Sequence, residues 1–461
     1  MKNPNLFFWN DWNKSDRYLY IFLLSLFGCC LIALAVSAYV GVNGVVDLNI
    51  YSRLDTTKSV IDQFNKNLLT FSVEADNYLV KEWFGASGLK VVPLYSYTLL
   101  FVCCFAVIII LSCITFLDTV PYMAGMFGIL LFMANLSTEL LDIFQAGSKY
   151  FLAGTIVSFA ALSYYYQAFN KNISYVVRLL SFLILCVIAW FIIRRYSQVS
   201  DPFLYMSNYG IKGILLLSML FFVVIAFDII YALFYLLTMN KATPTRNLIL
   251  HFPAVSLLYL LNFLFFYLDK KNVLDWDLLY INPFILFGIA AIVGIWAFRQ
   301  KEISYKSILS FAPIGAFLYL GLAIICCSAI AYSFITANDA MVEMFEYGLI
   351  YSHFCIGLCF LIYAVVNFNN LFNSYTQIYK VVFEPKRISL YVVYLISGFG
   401  IAALLFQASA QPYHTAKAGY LNNIGDIYLH EKNYMLARQY YLNASVEDYE
   451  NWRTNYSLAT I

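Results

Sequence analysis

The sequence predicts an all-α protein, a polytopic bundle of about eleven transmembrane helices followed by an extracytoplasmic helical solenoid. Three observations carry this reading. Of 461 residues, 62% are hydrophobic and only 12% charged, about half the charged fraction of a soluble globular chain. The apolar residues gather in runs of about 20, the length a helix needs to cross the hydrocarbon layer. After Ala410 the composition changes to mixed polar and charged. Such a chain is neither an ordinary cytosolic enzyme nor a disordered one. Its net charge of +2 gives no basic surface for nucleic acid.

Residues 1–17 form a cytoplasmic N-terminus, with Lys14 and Arg17 before the first apolar run. Residues 18–42 are the first transmembrane helix, too long for a signal-peptide core of about 7–15 residues. Residues 43–94 are too polar to span and form an extracytoplasmic loop. Thr56 and Thr57 can cap a helix there, with Val60, Ile61, Phe64, Leu68 and Leu69 at helical spacing. A second short helix is expected from Val73 to Phe84. The predicted form is a helical hairpin lying on the outer membrane surface.

Residues 95–410 make a ten-helix transmembrane bundle. Its spans are 95–117, 121–141, 150–168, 174–193, 213–238, 248–268, 281–298, 308–334, 346–368 and 388–409. Helices are the form lipid allows, because every backbone polar group must pair within its own segment. Basic residues favour an N-terminus inside. Twelve fall on the inner side, among them Lys301, Lys306 and Arg387, and six on the short outer loops, among them Arg194, Arg195 and Lys271. The loop 335–345 carries Asp339 and Glu343 and no basic residue. An odd number of spans then puts the tail outside, and a bacterial inner membrane is the expected setting.

Charges inside a bilayer are costly and carry a purpose. Asp228 lies about 15 Å from the inner end of its span and Arg178 about 6 Å from the inner end of the preceding one, at 1.5 Å per residue. The expected intramembrane polar pair is Arg178 with Asp228, a structural latch. An unpaired Asp228 would instead be a proton site. The ten cysteines all sit in apolar stretches and read as small hydrophobes. His251 lies near the inner surface and His353 nearer the outer one, which disfavours a haem held between them. No His, Cys and acid cluster has metal-ligand spacing. Neither a glycine-rich phosphate loop nor a Gly-x-Ser-x-Gly elbow occurs. No metal, cofactor or catalytic residue is expected.

Residues 411–461 carry the most specific pattern. With Ala418 as the first position, Leu421, Ile424, Gly425, Tyr428, Ala437, Tyr441 and Ala444 fall on the helix-packing positions of the tetratricopeptide repeat, which this segment resembles. The resemblance covers 418–451 and the start of a second unit. It departs from the family at Leu421, where a large aromatic is usual, and at Tyr449, where a proline closes the unit. It implies a helix–turn–helix of 34 residues, and about three such units are needed for a stable stack. The array is therefore expected to continue beyond Ile461. The resemblance also implies protein binding through the first helix of each unit, here by Asn422, Asp426, Leu429 and His430.

The leading expectation is an integral membrane scaffold whose tail, with loop 43–94, recruits envelope proteins. It would serve as a subunit of an export, secretion or assembly complex. Its partners are membrane lipids and proteins. An enzyme is the alternative. Membrane glycosyltransferases acting on lipid-linked glycans are similar in having a sizeable first outer loop with an acid near its start, here Asp47 or Asp55, and some polysaccharide ligases are similar in having many spans followed by such repeats. The chain departs from them in lacking a paired Asp-x-Asp and arginine-rich outer loops. An outer cavity lined by Asp47, Arg194 and Arg195 would favour that alternative. A transporter using Asp228 is the third reading.

Overall fold

The computed structural model describes residues 8–145, 149–238, 248–271, 273–274, 280–368, 382–383, 387–406 and 410–461. After a short 3-10 turn, helix α1 (Lys14–Val40) ends at Gly41, whose φ of +50° is open to a residue without a Cβ. Strands β1 (Leu48–Lys66) and β2 (Leu69–Ala86) follow. The bundle continues with α2 (Pro93–Ile114), α3 (Thr119–Asn135), α4 (Tyr150–Tyr164) and α5 (Tyr175–Tyr196). The short α6 (Pro202–Tyr209) leads into α7 (Ile211–Thr238) and α8 (Leu248–Lys270). Next come α9 (Pro283–Gln300), α10 (Glu302–Tyr305), α11 (Ala316–Ile335), α12 (Asp339–Phe368) and α13 (Leu390–Phe406). The tail is α14 (Gln411–His430), α15 (Tyr434–Glu447) and α16 (Trp452–Thr460).

Among the described residues, nine helices are long and apolar enough to cross a membrane, or up to ten if α13 and α14 make one bent span. The chain is thus a multi-pass membrane protein. The expected eleven included 150–168 and 388–409. In the first of these the α-helix holds only 15 residues before a π-turn at Tyr165–Phe169. In the second, α13 holds 17.

The bundle is layered. Helix α11 is the axis, with 89% of its apolar window buried, and it packs against α1, α2, α7 and α12. Helix α5 is peripheral, with 22% buried. Its outward residues, such as Leu180, Ile184 and Phe191, remain exposed, as suits a surface wetted by lipid tails.

Loop 43–94 corrects the all-α expectation. It is not a helical hairpin. It is a two-stranded antiparallel ribbon of 19 and 18 residues. Both strands are rich in β-branched and aromatic residues, which suit a pleated surface. Opposed rings lock the register, Tyr51 on Trp83 at 6.0 Å and Phe64 on Phe71 at 5.5 Å. Ile61 is the extra residue of a bulge between Val60 and Asp62. The turn is Asn67-Leu68, with Asn67 at φ 58°, a conformation asparagine tolerates. The helical spacing of Val60, Ile61, Phe64 and Leu68 is real, but cross-strand pairing overrides it.

The tail is a helical pair with a third helix across it. Gly425 lies beneath Tyr441, where an added Cβ would come within 2.5 Å of the ring. Ala418, Ala437 and Ala444 are fully buried in the seam. This unit is bolted to the bundle end that holds the ribbon base and the α11–α12 turn. Asn338 Nδ2 donates to Gly419 O at 2.8 Å and to Asn423 Oδ1 at 3.0 Å. Asp339 accepts the Trp452 amide at 2.8 Å. A Cβ on Gly419 would lie 3.0 Å from the Met341 backbone nitrogen, so α14 rests close against α12. Val45, Val46, Leu89 and Ala337 form an apolar patch that receives Leu429, Trp452 and Tyr456 from the tail.

Candidate functional site

The structure does not bring Arg178 and Asp228 together as a pair. Arg178 Nη1 donates to the carbonyl and hydroxyl of Thr115 at 3.0 and 2.9 Å. Its Nη2 donates to the carbonyls of Lys171 and Asn170 at 2.7 and 3.2 Å, and its Nε to Ile173 at 3.2 Å. The guanidinium also lies 3.8 Å from the Phe116 ring centroid. Arg178 therefore ties the α4–α5 connection to the end of α2, using the planar fork of donors that only arginine offers.

Asp228 on α7 is fully buried, and its partner is Lys301, just past the end of α9. The Lys301 ammonium also sits 4.8 Å from the Phe227 ring centroid. The sequence placed Lys301 among the inner loop cations, but here it folds back into the bundle. A lone buried carboxylate in lipid is so costly that a cation had to approach it. That argument names the need and not the residue that meets it.

Of the four tail residues expected to meet a partner, three are used internally. Asn422 and Asp426 are buried. Asn422 accepts from Thr454 Oγ1 at 2.8 Å. Asp426 accepts from Tyr441 OH at 2.8 Å and from Arg453 Nη2 at 2.6 Å. Helix α16 covers both. Leu429 packs on the Val45 patch. Only His430 is exposed, and it lies on the rim of a cleft.

That cleft, about 830 Å³, opens where the tail meets the bundle. Leu100, Phe101, Trp190 and Phe203 form its apolar wall, and Tyr97, Arg194, Ser200, Asp201, His430 and Glu431 its polar side. Four elements, α2, α5, α6 and α14, position the polar groups. Asp201 caps α6 by accepting from Leu204 N at 3.3 Å and also receives the Tyr97 hydroxyl. Ser200 and Tyr205 donate to Glu431 at 2.6 and 3.1 Å. Burial, and then the neighbouring Glu431 carboxylate, push the Tyr205 phenol well above its ordinary pKa, so it remains a donor. Arg194 and His430 complete a rim of mixed sign.

Asp47 and Arg195 do not line this cleft. Asp47 pairs with Lys90 at the ribbon base. Among the described residues no group of three or more His, Cys, Asp or Glu is placed to hold a metal ion. All ten cysteines are free. His353 is buried, with Nδ1 2.6 Å from the Tyr259 hydroxyl. An amphipathic cleft of this kind can seat a molecule with an apolar body and a polar head. The sequence signalled Arg194 and His430 separately. It did not signal Tyr97, Asp201 or Glu431, because tail docking brings them together.

Comparison with known protein families, with curated proteins and with solved structures finds no match.

Proposed function

We propose that this chain is an integral membrane scaffold that holds a tetratricopeptide-type platform outside a bacterial inner membrane, with its N-terminus inside. The platform recruits envelope proteins, and export, secretion or assembly machinery fits such a role. The observation that supports this most is the outward face of α15. Met435, Leu442 and Val446 are all exposed there, with Tyr449 beyond them. Apolar side chains repeated along one face of a fixed helix favour a protein contact. The hydrogen bonds of Asn338, Asp339 and Glu431 fix α14 and α16, between which α15 packs.

The test is gentle purification of the full chain from its native membrane, with mass spectrometry of what accompanies it. Stoichiometric envelope proteins that are lost in a Met435→Asp, Val446→Asp variant are the expected result. An unchanged set of companions in that variant would remove the platform reading.

The outer cleft favours a second reading, an enzyme acting on lipid-linked glycans. Arg194 would meet a phosphate and Asp201 or His430 a transferred group. A solitary purified protein carrying a lipid-linked sugar, lost in Arg194→Ala, would promote this reading over the scaffold.

A further inference from the structure

Among the described residues, the ribbon has no neighbour for most of its length. Between Asn49 and Trp83 every residue is exposed except Asp55, Ser59 and Ala75, which are half-buried. Both faces carry exposed apolar side chains, among them Leu54, Ile61, Phe71, Tyr78 and Val80. Both edges are open in the two-stranded sheet. At about 3.3 Å per residue such a ribbon is roughly 60 Å long. A lone hairpin is marginal in water, and long open edges invite another strand.

Anchoring narrows what that strand can be. The ribbon base is tied down by Ser87 N donating to Asp47 O at 3.1 Å and Lys90 N donating to Val45 O at 3.0 Å. Strand β1 therefore leaves the bundle and β2 returns to it. Copies of one chain in one membrane share one orientation. Beside a second copy, β1 meets β2 of its neighbour antiparallel, as β1 meets its own β2. Pairing β1 with β1, or β2 with β2, would be parallel.

Charge makes the same choice. Strand β1 carries Arg53, Lys58 and Lys66 against Asp55 and Asp62, a net +1. Strand β2 carries Glu74, Asp76 and Glu82 against Lys81, a net −2. Unlike strands attract and like strands repel.

We propose that copies of this protein associate through their ribbons, the outer edge of β1 in one pairing with the outer edge of β2 in the next. The contact is head-to-tail, so it closes as a ring or continues as a row. It satisfies the open backbone edges and sets apolar side chains beside cross-strand neighbours in one continuous antiparallel sheet.

Two tagged full-length copies, co-expressed in one membrane, test this. One carries Thr57→Cys and the other Asn77→Cys, positions that face each other within a ribbon. A short bismaleimide should link these two copies. Two copies both carrying Thr57→Cys should lose that product, and the unmodified chain should show only background from the lipid-facing Cys29. As a second readout, Lys58→Glu with Lys66→Glu should dissolve the native oligomer, and adding Glu74→Lys with Asp76→Lys should restore it. Equal linking of Thr57→Cys to itself, a monomeric unmodified chain, or linking to a different protein in place of the second copy would each overturn the proposal.

Discussion

The ribbon and the tail rise from the same end of the bundle and treat their side chains in opposite ways. The ribbon buries no side chain from Asn49 to Trp83. Its ion pairs, Asp55 with Lys81 at 2.5 Å and Lys58 with Glu74 at 3.6 Å, lie in the open. The tail buries Asn422, Asn423, Asp426, Arg453 and Thr454 together and fastens them to the bundle. The same chemistry therefore has different weight in the two places. A solvated pair is worth about 0–1 kcal/mol, whereas breaking a buried pair costs about 3–5 kcal/mol. The tail has its supports within this chain, whereas the ribbon beyond its base has none among the described residues.

The sharpest way to break this contrast is at Asp426. Asp426→Ala leaves the Arg453 guanidinium buried without its counter-charge, and Arg453 Nε and Nη1 already lack hydrogen-bond partners among the described residues. The tail should lose about 3–5 kcal/mol, read as early loss of amide protection in α14 to α16. Replacing both residues, Asp426→Leu with Arg453→Leu, should cost less than the single change, because no unpaired charge remains. Asp55→Ala in the ribbon should cost no more than about 1 kcal/mol.

A middle-sized effect is expected at the tail's close approaches. Gly425→Ala drives a methyl into the Tyr441 ring and should cost about 1–3 kcal/mol by overpacking. It acts inside the helix pair. Gly419→Ala instead presses on the Met341 backbone. It should loosen the seat of the tail on α12 while the α14–α15 pair survives. Hydrogen exchange separates the two outcomes, since only the second exposes the Trp452 amide while α15 stays protected.

These positions also show what the sequence could disclose. The Gly425 and Tyr441 pair was legible, because a small residue opposite a large one at fixed spacing is a local pattern. The burial of Asp228 was legible from its depth in an apolar run. Its partner was not, since Lys301 lies 73 positions later and looks like any cation at a membrane edge. Asn422 and Asp426 read as exposed because a one-helix pattern cannot show that α16 folds over them. The ribbon was hidden for a related reason. Val60, Ile61, Phe64 and Leu68 satisfy a helical period, whereas the pairing of Tyr51 with Trp83 is a non-local fact. The cleft between tail and bundle needs the docking of the tail, which no segment encodes alone.

The smallest expected effect sharpens the comparison from within the tail, at a surface cluster whose cations His414 and Lys417 are open to water while Glu447 is partly covered. Glu447 accepts from His414 Nδ1 and from Lys417, each at 2.6 Å. Hydrogen bonds from Lys417 and then His414 hold its carboxyl below the usual glutamate range. A carboxyl lowered by folding adds stability above its unfolded pKa, near 4.3 for glutamate, and loses it as pH falls through the lower folded value. Glu447→Gln should therefore differ slightly from the parent at neutral pH. The difference should shrink below about pH 4.3 and vanish once the folded carboxyl is protonated. Denaturation midpoints of the tail at several pH values read this directly. A difference that stays constant into acid would mean that Glu447 acts through packing rather than charge. A solvated contact in the tail would then not be comparable with those of the ribbon.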